Sequence, residues 1–124
     1  MKFYKCDICG KIIVMMHETP VPTVCCGADM HELIPGSTDA ATEKHVPVVT
    51  CEGRNVKVTV GSVTHPMLEK HYIEWILLET DKGWHKAALA PDMKPEAEFV
   101  LAEGENALRA YELCNLHSLW VKEL

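Results

Sequence analysis

Cys6 and Cys9 form a C-x-x-C knuckle in "CDICG", and fifteen residues separate it from the adjacent pair Cys25-Cys26 in "VCCGADM". Four thiolates suit a soft ion in tetrahedral geometry, and a glycine after each pair frees backbone N–H groups to turn toward the sulfurs. The spacing points to a metal and leaves zinc and iron both open. Adjacent ligands depart from the ordinary zinc ribbon, which uses two C-x-x-C knuckles. They also predict a distorted tetrahedron, because one S–metal–S angle hangs on a single peptide unit.

A second set of possible ligands is spread along the rest of the chain. Cys114 and His117 close "CNLH", His45 lies in "EKHVP", and His65 and His71 bracket "HPMLEKH". A nucleophilic Cys-His pair would need a third, orienting group and an oxyanion hole, and no local signature of either is present. One thiolate and four imidazoles around a single ion fit better. Such mixed ligation favours a borderline transition metal such as iron, and five protein ligands leave one octahedral position open for chemistry. His17, His31 and His85 lie in polar surroundings with no second candidate ligand nearby and are read as ordinary side chains. Cys51, in "VVTCEGRN", belongs to neither set and is read as a half-buried strand residue.

The elements that must position these residues read as all-β. "IPGSTDAA", residues 34–41, breaks regular structure at Pro35-Gly36 and predicts a boundary, with modules at 1–36 and 37–124. The first is too small to fold on an apolar core alone, so a metal staple is expected. In the second, "VPVVTCEGRNVKVTVGSV" predicts two strands joined at Glu52-Gly53, with Val56, Val58 and Val60 alternating. "HYIEWILLET", closed by Asp81-Lys82-Gly83, predicts a third strand and "EAEFVLAE" a fourth. "LEKHYIEWILLE" and "ENALRAYELCNL" also carry apolar residues at helical spacing; they are read as a strand and a strand with a loop. The recurrence of turn signals predicts a β-sandwich.

The chain of 124 residues is 48% apolar and 24% charged, ordinary for a folded domain, and its 12 Lys+Arg against 18 Asp+Glu give a net charge of −6. With no basic run, nucleic acid is excluded as a partner. An anionic substrate would need a local cation to work against the overall field. The apolar run Ile12–Met16 is too short for a signal peptide or a membrane span, so a cytoplasmic protein is expected and the six cysteines are read as thiols rather than disulfides.

"YKCDICG", "VCCGADM", "TEKHVPVV", "VGSVTHPMLEKHYIEWI" and "YELCNLHSLW" together resemble, in order and over essentially the whole chain, the signature segments of the desulfoferrodoxins, two-iron superoxide reductases. The resemblance implies a desulforedoxin-like module with an Fe(Cys)4 centre on Cys6, Cys9, Cys25 and Cys26. It implies an immunoglobulin-like β-sandwich with an Fe(His)4Cys centre, in which His45, His65, His71 and His117 form a plane and Cys114 lies on the axis. It puts Lys44 on a loop over the open face, where it attracts superoxide, and lets Glu43 occupy the sixth position of the resting ferric iron. Without it, Glu43 and Lys44 read as a solvated charge pair. It further implies reduction of superoxide to hydrogen peroxide, rubredoxin or a similar small carrier as electron donor, and a homodimer. The rival expectation is a non-enzymatic module that carries electrons or senses oxidants.

Overall fold

The sequence from Lys2 to Leu33 offers only short apolar runs, and its strands are correspondingly short. In the computed structural model, which describes Met1–Leu124, β1 (Phe3–Lys5), β2 (Ile12–Val14), β3 (Val24–Cys25), β4 (Ala28–Asp29) and β5 (His31–Glu32) belong to a first unit, Met1–Ile34. β1 pairs antiparallel with β2 and β5, while β3 and β4 form a separate two-residue hairpin. The buried apolar side chains of this unit are Phe3, Cys6, Met30 and Leu33. So small a cluster cannot offset the conformational entropy of ordering the segment, which leaves the four cysteines as its second means of closure.

The second unit, Pro35–Leu124, is a β-sandwich. One helical turn, α1 (Thr42–His45), precedes β6 (Pro47–Glu52), β7 (Asn55–Val60), β8 (Ile73–Thr80), β9 (Gly83–Ala88), β10 (Glu96–Val100), β11 (Ala107–Cys114) and β12 (Ser118–Glu123). One sheet has the order β10-β7-β6 and the other β12-β11-β8-β9, all pairs antiparallel. Successive hairpins switch between the sheets, which is the connectivity of immunoglobulin-like sandwiches. The inner faces meet through Val56, Val58, Val60, Ala97 and Phe99 on one side and Ile73, Ile76, Leu78, Ala110 and Cys114 on the other. Cys114 is thus a core residue at the end of its strand.

Differences from the sequence expectations fall at particular places. The segment around Lys44, expected as a loop, is the helical turn α1. The edge strands β9 and β12 have no counterpart among the predicted strands. The helical spacing in the β8 and β11 segments arises because both strands bury side chains on both faces, Leu77 and Leu113 among them, which hides the period of two. Cys51 is exposed rather than half-buried, because burial along the edge strand β6 fades toward its hairpin end.

Candidate metal centres

In the small unit the β1–β2 turn brings Cys6 and Cys9 opposite the β3–β4 hairpin, which carries Cys25 and Cys26. The four sulfurs lie within 4.8 Å of one another. Cys9 Sγ is 3.7 Å from Cys25 Sγ, and Cys25 Sγ is 4.0 Å from Cys26 Sγ. A tetrahedron with metal–sulfur bonds of about 2.3 Å has edges of about 3.8 Å, so the spacing fits one ion. Neighbouring residues ordinarily point apart. Here Cys26 takes a φ of +52°, in the left-handed region costly for a side chain with Cβ, and this turns its sulfur to the same side as that of Cys25.

The protonation balance of this cluster also calls for a cation. The backbone N–H groups of Cys9 and then Ile8 pull the Cys6 thiol down to about 6. Hydrogen bonding with the sulfur of Cys9, then of Cys25, pushes Cys26 up to about 12. Four thiolates cannot be held together without positive charge between them.

In the sandwich, each ligand of the second cluster arrives from a different local device. In α1 the Nδ1–H of His45 donates to the carbonyl of Ala41, four residues back, at 2.8 Å, and Trp120 stacks on the other side of the ring at 4.9 Å. His65 donates from Nδ1 to the Pro66 carbonyl at 2.6 Å. Leu68 and His71 exchange backbone hydrogen bonds of 2.9 and 3.0 Å, closing the turn that returns the chain to β8. Cys114 ends β11, and the three residues after it reverse the chain into β12, with Ser118 at a φ of +64°. Trp120 Nε1 donates to the carbonyl of His117 across this turn at 3.0 Å.

The four imidazoles form a closed ring in the order His45, His65, His71, His117. Neighbouring centroids lie 4.7 to 5.0 Å apart, and neighbouring planes stand at 78° to 86° to each other. His45 Nε2 lies 3.2 Å from His65 Nε2 and 3.1 Å from His117 Nδ1, while Cys114 Sγ lies 3.8 Å from His117 Nδ1. A square of nitrogens about 2.1 Å from a central ion has edges of about 3.0 Å. Because His45 and His65 both spend their Nδ1 proton on a carbonyl, their Nε2 atoms are bare in the neutral rings. Burial lowers the pKa of both, that of His65 to about 4, so the rings are neutral. Two lone pairs then face each other at 3.2 Å with no proton between them, and His71 Nε2 is buried with no hydrogen-bond partner. This arrangement is stable only around a cation.

The geometry brings together all five side chains that the sequence pointed to. Glu43 and Lys44 lie exposed on α1 next to His45; burial first, and after it the neighbouring imidazoles and the Lys44 charge, disfavour protonation of both His45 and His71. Their backbone is fixed from below. Gly61 has a φ of +80°, and a Cβ there would overlap the Val63 carbonyl and stand 2.7 Å from that of Glu43. In that space Val63 N–H at 3.0 Å and Ser62 Oγ at 3.3 Å donate to the Glu43 carbonyl. His17 is exposed, His31 pairs with Asp7 and His85 with Glu105, so none of the three joins a cluster.

Glu112 was not among the residues the sequence suggested. It is fully buried two positions before Cys114, its two carboxyl oxygens make no hydrogen bond, and burial pushes its pKa up to about 9. Residues i and i+2 share a strand face, so a neutral acid stands beside the sulfur. Burial likewise raises the Cys114 thiol, against the N–H groups of His117 and Leu116. A bound cation would reverse that order and hold the thiolate. The sequence signal for Glu112 is a lone carboxylate at a core position of the strand "ALRAYELC".

The family model described as Desulfoferrodoxin matches residues 37–123, and that of the desulfoferrodoxin N-terminal domain matches residues 1–33. A desulfoferrodoxin homolog of Archaeoglobus fulgidus is 46% identical over 97% of this chain and 94% of its own. A desulfoferrodoxin of Nitratidesulfovibrio vulgaris is 46% identical over 98% of this chain and 95% of its own. Among solved structures, the superoxide reductase of Treponema pallidum superposes with a TM-score of 0.83 at 38% identity, covering 98% of both chains. A one-iron superoxide reductase of Giardia intestinalis matches 66% of this chain and 99% of its own, with a TM-score of 0.56 and 36% identity.

Proposed function

Because this chain belongs to the desulfoferrodoxin family, we propose that it reduces superoxide to hydrogen peroxide at the His4Cys cluster of its sandwich. The observation that carries this reading is the ring of four imidazoles with a single buried thiol, which supplies five donors and not six. Two irons are bound per chain, one in each cluster. When bound, the iron of the sandwich supplies one electron and an open position for a small anion.

The residues of the chain do the rest. His45, His65, His71, His117 and Cys114 would hold the iron, and Cys114 as a thiolate would provide the negative charge that favours release of the electron. Lys44 draws the anion in against a net charge of −6, since a local cation is what raises the encounter rate of a negative protein with a negative substrate. Glu43, exposed beside His45 on α1, would offer its carboxylate to the oxidised iron when no substrate is bound. Two protons from solvent complete the balance: superoxide, one electron and two protons give one hydrogen peroxide. No oxygen is evolved, so each turnover needs an electron from outside the chain, for which rubredoxin or a similar small carrier is the proposed donor.

The further assignments form one picture: a desulforedoxin-like Fe(Cys)4 module over residues 1–36, a catalytic domain over 37–124, a homodimer, and a cytoplasmic location. No helix is long and apolar enough to cross a membrane. The test is the second-order reaction of the reduced protein with superoxide. Lys44→Ala should slow it about tenfold at low salt and flatten its dependence on ionic strength. An unchanged rate and salt slope would remove Lys44 from the mechanism.

A further inference from the structure

A ligating histidine is ordinarily held by a hydrogen bond from the ring nitrogen that faces away from the metal. His45 and His65 have that bond, to the carbonyls of Ala41 and Pro66. His71 does not: its Nε2 is buried among the other donors without a partner, and neither ring nitrogen makes a hydrogen bond. No protein group therefore holds the ring of His71 by a hydrogen bond, and its placement depends on its backbone and on the edges of the His65 and His117 rings.

That backbone is gripped by the turn that carries the neighbouring ligand, His117. Asn115 Oδ1 accepts from the N–H of Tyr72 at 2.9 Å, Nδ2 donates to the carbonyl of Lys70 at 3.0 Å, and the Asn115 N–H donates to the carbonyl of Tyr72 at 3.1 Å. Lys70 and Tyr72 are the two neighbours of His71, so the side-chain amide spans the ligand. Its orientation is fixed by its partners, since the oxygen meets a donor and the nitrogen meets an acceptor. We propose that Asn115 is a positioning residue that holds His71 in the ligand ring, in place of the ring hydrogen bond that His45 and His65 possess.

The turn Cys114–His117 then contributes two ligands directly and positions a third. A primary amide is required for this. A carboxylate at 115 would still accept from Tyr72 but would set its other oxygen against the carbonyl of Lys70, and an alanine would release both groups. The inference rests on His71 being a ligand, as proposed above, and the experiment keeps the two claims apart.

In the iron-loaded full-length protein, loss of iron from the second centre to a chelator is followed in wild type, Asn115→Ala, Asn115→Asp, His71→Ala and the double variant Asn115→Ala/His71→Ala. Both Asn115 variants should lose iron about 10- to 100-fold faster than wild type. The double variant should lose it no faster than His71→Ala alone, because a residue that acts through His71 has nothing left to position. Hydrogen exchange at the Tyr72 amide should quicken in the Asn115 variants while that at Val58 in the core stays as in wild type. If Asn115→Ala does not fold, Asn115→Asp carries the same comparison. Wild-type iron loss in the Asn115 variants, multiplying effects in the double variant, or equal quickening at Tyr72 and Val58 would each overturn the inference. Wild-type iron loss in His71→Ala would instead contradict the ligand assignment on which it rests.

Discussion

In the small unit four sulfurs gather where there is almost no core, on strands of two or three residues, with Cys9 and Cys26 exposed. In the sandwich five donors gather at the rim of a packed interior, with His45, His65 and Cys114 buried and their strands and turns fixed by backbone pairing that leaves their side chains free to ligate. The first cluster has four like ligands, which fill a tetrahedron and leave no position for substrate. The second has five of two kinds and leaves one. In one case the ion makes the fold; in the other the fold makes the site. Saturation and exposure suit a centre that only gains and loses electrons, whereas an unsaturated, partly buried plane beside a lysine suits one that binds what it reduces.

The sharpest way to break this comparison is to remove both metals. A structural ion contributes roughly 10 kcal/mol or more to a module that has little else to close it. Chelation under reducing conditions should therefore abolish amide protection in β1, β2 and β5, while β7, β8 and β11 keep theirs. Hydrogen exchange read residue by residue checks this, and loss of protection in both units together would mean that the sandwich also depends on its ion.

A smaller effect separates the sandwich from its metal altogether. Glu105 accepts from Thr80 Oγ1 at 2.6 Å, the Ala102 N–H at 2.8 Å and His85 Nε2 at 2.9 Å, tying the β10–β11 connection to the β8–β9 hairpin. These bonds, that of Thr80 first, hold its carboxyl down at about 2 against an ordinary value of 4.5. A depressed acid stabilises the fold fully above its unfolded value, and this contribution is lost as pH falls from about 4.5 through about 2. Glu105→Gln should lower the thermal midpoint of the sandwich near pH 6, and the difference should shrink to a small remainder near pH 2. A constant difference across that range would show that the charge is not the stabilising element.

The same contrast explains what could be read from the sequence. The four cysteines are close in the chain, so their spacing alone announces a metal; the left-handed Cys26 that makes adjacent ligands possible is visible only in the backbone. His45, His65, His71 and the Cys114–His117 pair lie in separate segments; their residue types suggested one five-ligand set, and the resemblance gave each ligand its place in it. In the sandwich, β6, β7, β8, β10 and β11 were legible because each carries an apolar run or alternation, even the edge strand β6, where four of six residues are exposed. The edge strands β9 and β12 were not, since polar and charged residues break up their apolar positions. Gly61, Glu112 and Asn115 matter through what they touch across the fold, and a single sequence carries no trace of those contacts.

If the open centre of the sandwich does the chemistry, as proposed, the saturated centre of the small unit is dispensable to it. The most direct measurement is rapid mixing of superoxide with the reduced Cys25→Ser variant, whose first centre has lost one of its four sulfurs. The expected result is a second-order rate equal to that of the intact protein, together with loss of the first centre's visible absorption and a less stable small unit. Disappearance of the reaction with superoxide, in a variant that retains its second iron, would contradict it.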